Sequence, residues 1–177
     1  MAKDSAVIKM LKGDYSLMGL SVDGTYKKTD MLLRLYRKID WALKGKIEDL
    51  SFYSYENDNT LEALSCLLEF VPQKEMEAFR SKAISAMRSK ALMELIDTAV
   101  IRLRDYPDNG HIYYSIIDLK YLSYFNFTED EILEQLDLER STYYRKKKEA
   151  TYLIGYILFG FVIPEYIDSE KVANICD

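Results

Sequence analysis

The stretch from Thr128 to Lys148 constrains the fold most, because it combines the signals of two short helices with a tight turn between them. Thr128 is a predicted N-cap, and Glu131 three residues later completes the capping-box pattern. Acidic residues fill the first turn, where the helix dipole favours negative charge. The apolar residues of this first helix recur at helical spacing and are Ile132, Leu133 and Leu136. A second helix is under way by Ser141, so the pattern predicts a helix-turn-helix.

The second predicted helix is basic, although the chain as a whole has a formal net charge of −5. From Arg140 to Lys148 there are five basic residues and no acid. Such a local positive patch is what phosphate binding requires. Hydrogen-bonding side chains stand at the start of the helix, where a recognition helix meets bases or backbone, and they are Ser141, Thr142 and Tyr144. The alternative interpretation, a solvated basic face, stays open.

The turn and the start of the second helix resemble a known motif. Residues 136–145 read LDLERSTYYR and are similar to the "LG-I-S-R-S-T-V-Y-R" signature of region 4 of bacterial sigma factors. The resemblance covers about residues 107–163 and is closest to phage and prophage transcription regulators of the ArpU and RinA type, in which an alanine matching Ala150 follows the recognition helix. Asp137 stands where the turn usually has Gly, and it tolerates the left-handed conformation better than most residues. Glu139 stands where Ser or Thr usually caps the helix.

This resemblance implies a cytoplasmic, sequence-specific double-stranded DNA-binding transcriptional regulator encoded by a phage or prophage. Tyr143 and Ala150 are expected to turn inward. The expected DNA-binding residues are Arg140, Ser141, Thr142, Tyr144 and Arg145 in the groove, with Lys147 and Lys148 on phosphates. The alternative is a helical interaction or assembly protein whose helix-turn-helix is structural, either an RNA polymerase-binding protein or a phage DNA-packaging subunit. The sequence does not separate a contact with RNA polymerase from DNA binding alone.

Composition and periodicity predict an all-α fold of one or two small domains. The 177 residues include only seven Gly and three Pro, and long stretches carry apolar residues at helical spacing. We expect N-terminal helices in residues 1–106, a helix-turn-helix unit in 107–164 and a weakly ordered tail in 165–177. The N-terminal region is predicted to include one long helix from about residue 73 to Tyr106.

Caps and turns give more detailed predictions near the N-terminus. Residues 22–25, Val-Asp-Gly-Thr, are typical of a turn. Thr29 or Asp30 is then the predicted cap of a helix that reaches about residue 48, with Trp41 expected to pack in the core rather than form a stacking surface. The basic residues of this helix are expected to form a solvated face or a second contact with the DNA backbone, and they are Arg34, Arg37, Lys38, Lys44 and Lys46.

Residues 150–164 form an uncharged, apolar run that Pro164 is expected to end. The run is shorter than the stretch of about twenty residues that a membrane span needs, so we expect no membrane insertion. Apolar side chains lie around the whole circumference of this predicted helix. The 57-residue unit of residues 107–163 is too small to bury all of them. The N-terminal helices, a second copy of the chain, or both must cover the remainder, and we predict a homodimer.

The sequence lacks the motifs of an enzyme. His111, the only histidine, has no Cys or carboxylate at metal-ligand spacing, so no metal site is expected. Neither a Gly-rich phosphate loop nor a nucleophile elbow is present. We therefore predict no catalytic residues and no cofactor. Cys66 and Cys176 lie far apart in sequence and are expected to be reduced thiols, as is typical of a cytoplasmic protein.

Overall fold

The computed structural model describes residues 4–44 and 91–173, and the regular structure in these residues is entirely helical. The helices are α1 (Ala6–Leu17), α2 (Val22–Lys44), α3 (Ala91–Arg104), α4 (Gly110–Ile117), α5 (Glu129–Leu136), α6 (Arg140–Ile157) and α7 (Ile163–Ala173). Two π-helical segments extend them, Asp118–Leu122 after α4 and Leu158–Val162 between α6 and α7. The predicted all-α fold is confirmed.

The predicted turn at residues 22–25 is wrong, because these residues form the first turn of α2. The Ser21 hydroxyl accepts a hydrogen bond from the Gly24 amide at 3.2 Å, as an N-cap side chain does. The predicted caps Thr29 and Asp30 therefore lie inside the helix. Thr29 is buried, and its hydroxyl donates to the backbone carbonyl four residues earlier at 2.8 Å.

The buried face of α2 carries apolar residues at helical spacing, and they include Leu32, Leu35, Tyr36 and Ile39. Trp41 is 67% exposed, so the expectation that it packs in the core is wrong. Two residues beyond Ile39, it falls on the opposite side of the helix. A long helix is predicted from residue 73 to Tyr106, and the structure describes only its second part, which is α3. The remainder, like the predicted end of α2 near residue 48, lies outside the described residues.

The core is organised around α6, which packs against α1, α2, α3 and α4. Its buried residues from Ala150 onwards include Leu153, Ile154 and Ile157. The Tyr15 hydroxyl of α1 donates to the backbone carbonyl of Tyr152 at 2.6 Å, so a polar bond also joins these helices. The predicted burial of this apolar run is confirmed, and N-terminal helices cover it. The main core thus crosses the domain boundary predicted at residues 106 and 107.

Pro164 does not end the apolar helix as predicted, since the chain continues into α7. The π-helical segment before it is wider than an α-helix, and the Ile163 amide bonds to the carbonyl of Leu158, five residues earlier. We attribute the tolerance of proline, which lacks an amide donor, to this local irregularity. Ile167 is buried, and Arg102 on α3 pairs with Glu165 at 2.7 Å. Residues 165–173 are therefore not the weakly ordered tail that the sequence predicts.

The run Arg140–Ala173 is long and apolar enough to cross a membrane by length and composition. In its most apolar window, however, 67% of the residues are buried inside the protein. Packing in the core therefore accounts for the apolar composition of this run. That the protein does not insert into a membrane stays a prediction.

Candidate nucleic-acid interface

Helices α4, α5 and α6 share a small core of their own beside the main one. Each helix contributes one fully buried side chain, Ile116, Ile132 and Tyr143 respectively. The half-buried side chains packed around them are Ile112, Leu119, Phe127, Leu133, Leu136 and Leu138. These contacts fix the position of α6 relative to α5, and the two helices with their turn are named the α5–α6 unit here.

The first helix of the α5–α6 unit begins at the predicted capping box, which is confirmed. The Thr128 hydroxyl accepts from the Glu131 amide at 3.3 Å, and the Glu131 carboxylate accepts from the Thr128 amide at 2.7 Å. Two backbone donors at the helix start are satisfied in this way, so α5 has a defined beginning despite its eight residues.

The turn of residues 137–139 depends on a left-handed residue, as the sequence predicts. Asp137 has φ 50° and ψ 50°. The Asp137 and Leu138 amides bond to the carbonyls of Glu134 and Leu133 at 3.3 and 3.0 Å, the pattern of a Schellman motif. Glu139, which precedes α6, makes no side-chain capping bond. The direction of α6 is therefore set by the backbone of the turn rather than by a cap.

We expect Asp137→Val to lower the free energy of unfolding by about 1–2 kcal/mol, because a β-branched residue is strained in the left-handed region. Asp137→Gly is the matched control, and we expect it to be as stable as the wild type or up to about 1 kcal/mol more stable. Urea unfolding followed by circular dichroism measures both. A Val variant as stable as the Gly variant would mean that the turn is not strained.

Most of the predicted DNA-binding residues lie on one side of α6. At about 100° per residue, five of them fall within an arc of about 140°, and they are Arg140, Ser141, Tyr144, Arg145 and Lys148. All are exposed except Lys148, which is half-buried. Thr142 and Lys147 are half-buried and lie outside this arc. Tyr143 and Ala150 are fully buried, as predicted.

The three cations of this exposed arc have carboxylate partners within the protein. Arg140 Nη2 lies 2.6 Å from Asp130 Oδ1, and Arg145 Nη1 lies 3.5 Å from Glu149 Oε1. Lys148 Nζ lies 3.0 Å from Asp4 Oδ1. Ion pairs at a surface contribute little to stability, at most about 1 kcal/mol. DNA phosphates can therefore replace Asp130 and Asp4 at low cost, whereas the pair of Arg145 with Glu149 is not of this kind because Glu149 is buried.

Asp4 also bonds Lys12 of α1, at 2.7 Å, so one carboxylate joins lysines from two helices. Hydrogen bonds from Lys12 and Lys148 lower the pKa of Asp4 to about 2. Its ionised form, and with it the contact between α1 and α6, is therefore kept above pH 4 and lost as the pH falls towards 2.

Lys146 belongs to the basic run of residues 140–148, but its side chain is buried. It is 8% exposed, and its ammonium donates to Asn109 Oδ1 at 2.8 Å and lies 5.4 Å from the centre of the Tyr113 ring. Burial lowers the pKa of Lys146. The Tyr113 hydroxyl in turn donates to the buried Glu149 carboxylate at 2.9 Å. These contacts fasten α6 to the start of α4, so Lys146 has a structural role.

Glu129, in the first turn of α5, contacts two side chains of the basic helix. Its Oε2 accepts from the Tyr144 hydroxyl at 2.6 Å and lies 3.6 Å from Arg140 Nη1. Its Oε1 lies 3.9 Å from Lys120 Nζ. The hydrogen bond from Tyr144 lowers the pKa of Glu129. The sequence alone accounts for this acid by the helix dipole and gives no sign of these partners.

Arg37 of α2 forms hydrogen bonds within the protein. It is not the solvated or DNA-contacting residue that the sequence predicts. Its guanidinium donates to the Ser123 carbonyl at 2.7 Å and to Asn126 Oδ1 at 2.6 Å. It also bonds two carbonyls of the preceding π-helical segment. The loop that leads into α5 is thereby fixed, and it exposes the aromatic rings of Tyr124 and Phe125.

No family model, curated protein or solved structure matches this chain. The resemblance to sigma region 4 and to the phage regulators therefore stays a prediction. Within residues 4–44 and 91–173, no group of three or more His, Cys, Asp or Glu side chains is placed to hold a metal ion.

Proposed function

We propose that this chain is a sequence-specific double-stranded DNA-binding protein of the transcription-regulator class, encoded by a phage or prophage. The N-terminal half of α6 enters the major groove, with Arg140, Ser141, Tyr144 and Arg145 facing the groove and Lys148 on a phosphate. Thr142 and Lys147, being half-buried, contribute at the edges of this contact.

One observation carries the proposal: a helix fixed by a capped partner helix presents cations and hydrogen-bonding groups on a single exposed arc. The small core around Tyr143 holds the rear of α6 against α4 and α5. Preorganised side chains on a rigid helix lose little entropy on binding. Arginine is also the side chain best suited to paired hydrogen bonds with guanine.

Selection of bound sites from random duplex DNA tests the proposal, followed by titration of the selected duplex at increasing salt. A specific site should emerge, and each phosphate contact should add about 0.9 to the slope of log affinity against log salt. No enriched site together with a flat salt dependence would refute the proposed function.

We expect Arg145→Ala and Lys148→Ala to weaken DNA binding in different ways. Arg145 is exposed at one edge of the arc, so its loss should cost about 1–3 kcal/mol on the selected site and relax the preference at one base pair. Lys148→Ala should weaken binding to all duplexes alike and reduce the salt slope by about one. Repeating the site selection with both variants measures this, and unchanged selection and affinity in both would place the reading surface elsewhere.

The second candidate is a helical interaction or assembly protein in which the α5–α6 unit is structural. The observation that favours it is the internal pairing of Arg140, Arg145 and Lys148 with carboxylates. Exposed Tyr124 and Phe125 also provide aromatic surface of the kind enriched in protein interfaces. The salt titration separates the two candidates, since an interaction protein has no DNA affinity to lose. Homodimer formation and a contact with RNA polymerase are proposals under either function.

A further inference from the structure

We propose that the Glu129 carboxylate occupies an anion site on the α5–α6 unit, and that a DNA backbone phosphate replaces it there when the protein binds. This inference rests on the proposed function, which it extends with a phosphate-binding site and an internal competitor for it. The site is formed by the side chains that surround Glu129, from α6 and from the π-helical segment after α4.

The donors around Glu129 are those that bind phosphate. The Tyr144 hydroxyl, 2.6 Å from the carboxylate, and the Arg140 guanidinium, 3.6 Å from it, come from successive turns of α6. The Lys120 ammonium approaches from the other side at 3.9 Å. A phosphate oxygen accepts from hydroxyl, guanidinium and ammonium groups alike, and such contacts position a protein on the DNA backbone.

A further cation stands beside this group. Lys147 Nζ lies 5.1 Å from the centre of the Tyr144 ring and 5.4 Å from that of Tyr143, so it stays close to the α6 face that Glu129 contacts. Burial lowers the pKa of Lys147, while the charge of Glu129 acts in the opposite direction. With Glu129 removed, the three cations would lose the carboxylate that lies among them, while Asp130 stays paired with Arg140 and Asp30 stays near Lys147, and the cluster would attract an anion.

The exchange of carboxylate for phosphate is feasible because Glu129 is held loosely by its charged partners. Both ion pairs are longer than 3.5 Å, and the side chains of Glu129 and Arg140 are 30% and 56% exposed. Pairs of this kind are weak in water. A phosphate at the same place gains the same donors without burying a second charge, so wild-type DNA binding includes a penalty for displacing Glu129.

Glu129→Gln tests the site, because it keeps the shape of the side chain and removes its charge. We expect the variant to bind the selected duplex about tenfold more tightly at fixed salt, with a slope steeper by about 0.9, the value of one added phosphate contact. Glu134→Gln is the matched control, since it makes the same change of net charge on the exposed outer side of α5 beside Phe127. Its slope should equal that of the wild type.

A second titration, with inorganic phosphate, separates the DNA backbone from free phosphate as the ligand. Backbone amide signals of Arg140 and Tyr144 should shift on adding phosphate to Glu129→Gln more than to the wild type. Equal DNA affinity and slope in the wild type and Glu129→Gln would overturn the proposal and leave the proposed function standing. If phosphate binds the variant but no duplex binds either protein, the proposed function fails, the anion site stands, and the DNA backbone is not its ligand.

Discussion

Gly155→Ala is expected to lower the free energy of unfolding by about 2–3 kcal/mol. A Cβ at residue 155 would lie 2.5 Å from the Tyr15 hydroxyl and 2.6 Å from Thr29 Oγ1. Both side chains are buried, on two different helices, and the Tyr15 hydroxyl is also bonded to the Tyr152 carbonyl. One methyl group therefore forces α1 or α2 away from α6 at the centre of the core. Urea unfolding at neutral pH measures the loss.

Gly13→Ala is the matched control for this experiment. Gly13 lies within α1, and a Cβ there meets no atom within 4 Å. Because alanine is the better helix former, this change should raise the free energy of unfolding by about 0.5–1 kcal/mol. Equal effects of the two substitutions would show that Gly155 is not at a close helix crossing.

The α5–α6 unit was predictable because each of its signals acts over a few residues. Thr128 and Glu131 satisfy the start of α5 by themselves, and no distant contact competes with them. Asp137 could be recognised as the turn residue because few side chains accept a positive φ. The inward direction of Tyr143 and Ala150, which the resemblance implies, agrees with their position on the side of α6 opposite the exposed arc. In this unit the local capping and turn signals favour the same structure as the packing of the helices, so these details could be predicted from the sequence.

Elsewhere two local signals conflict and the fold decides between them. Ser21 is a good N-cap, but Gly24 three residues later is an equally good turn residue. The first turn of α2 buries Thr25 against the core, which favours the helix. Pro164 is a helix breaker in a regular helix, and no sequence pattern predicts the π-helical segment before it. Tertiary packing overrides propensity in the first case, and the local π-helical irregularity does so in the second.

The partners of the candidate site could not be read from the sequence, because they come from other elements. Asp4 is 144 residues from Lys148, and Arg37 is more than eighty residues from the loop that it holds. The spacing of the basic run also does not tell the buried Lys146 from the exposed Arg145 until the position of α4 is known. Charge counts predicted a positive surface, whereas the structure reveals one whose cations are shared with carboxylates.

Ile157→Glu is expected to destabilise the protein by several kcal/mol, enough to unfold a marginally stable domain. Ile157 is 8% exposed and belongs to the main core at the end of α6. A carboxylate there must either lose its hydration or take up a proton, and both cost free energy. Circular dichroism and urea unfolding measure the loss. A fully folded Glu variant of wild-type stability would mean that this part of α6 is not buried.

Phe161→Glu, four residues further on, is the matched variant and also tests the predicted homodimer. Phe161 is 36% exposed and contacts the ring of Tyr156 at 5.2 Å, so its replacement should cost less than about 1 kcal/mol in a monomer. Packing of α1 and α2 on α6 removes the need for a second copy to cover the whole apolar run. Phe161 is the large apolar side chain that stays exposed in residues 150–163, so we expect a dimer contact through this run to include it. Light scattering at high concentration should therefore give a dimer for the wild type and a folded monomer for Phe161→Glu. A wild-type monomer would refute the dimer, and a dimeric Phe161→Glu protein would place its interface elsewhere.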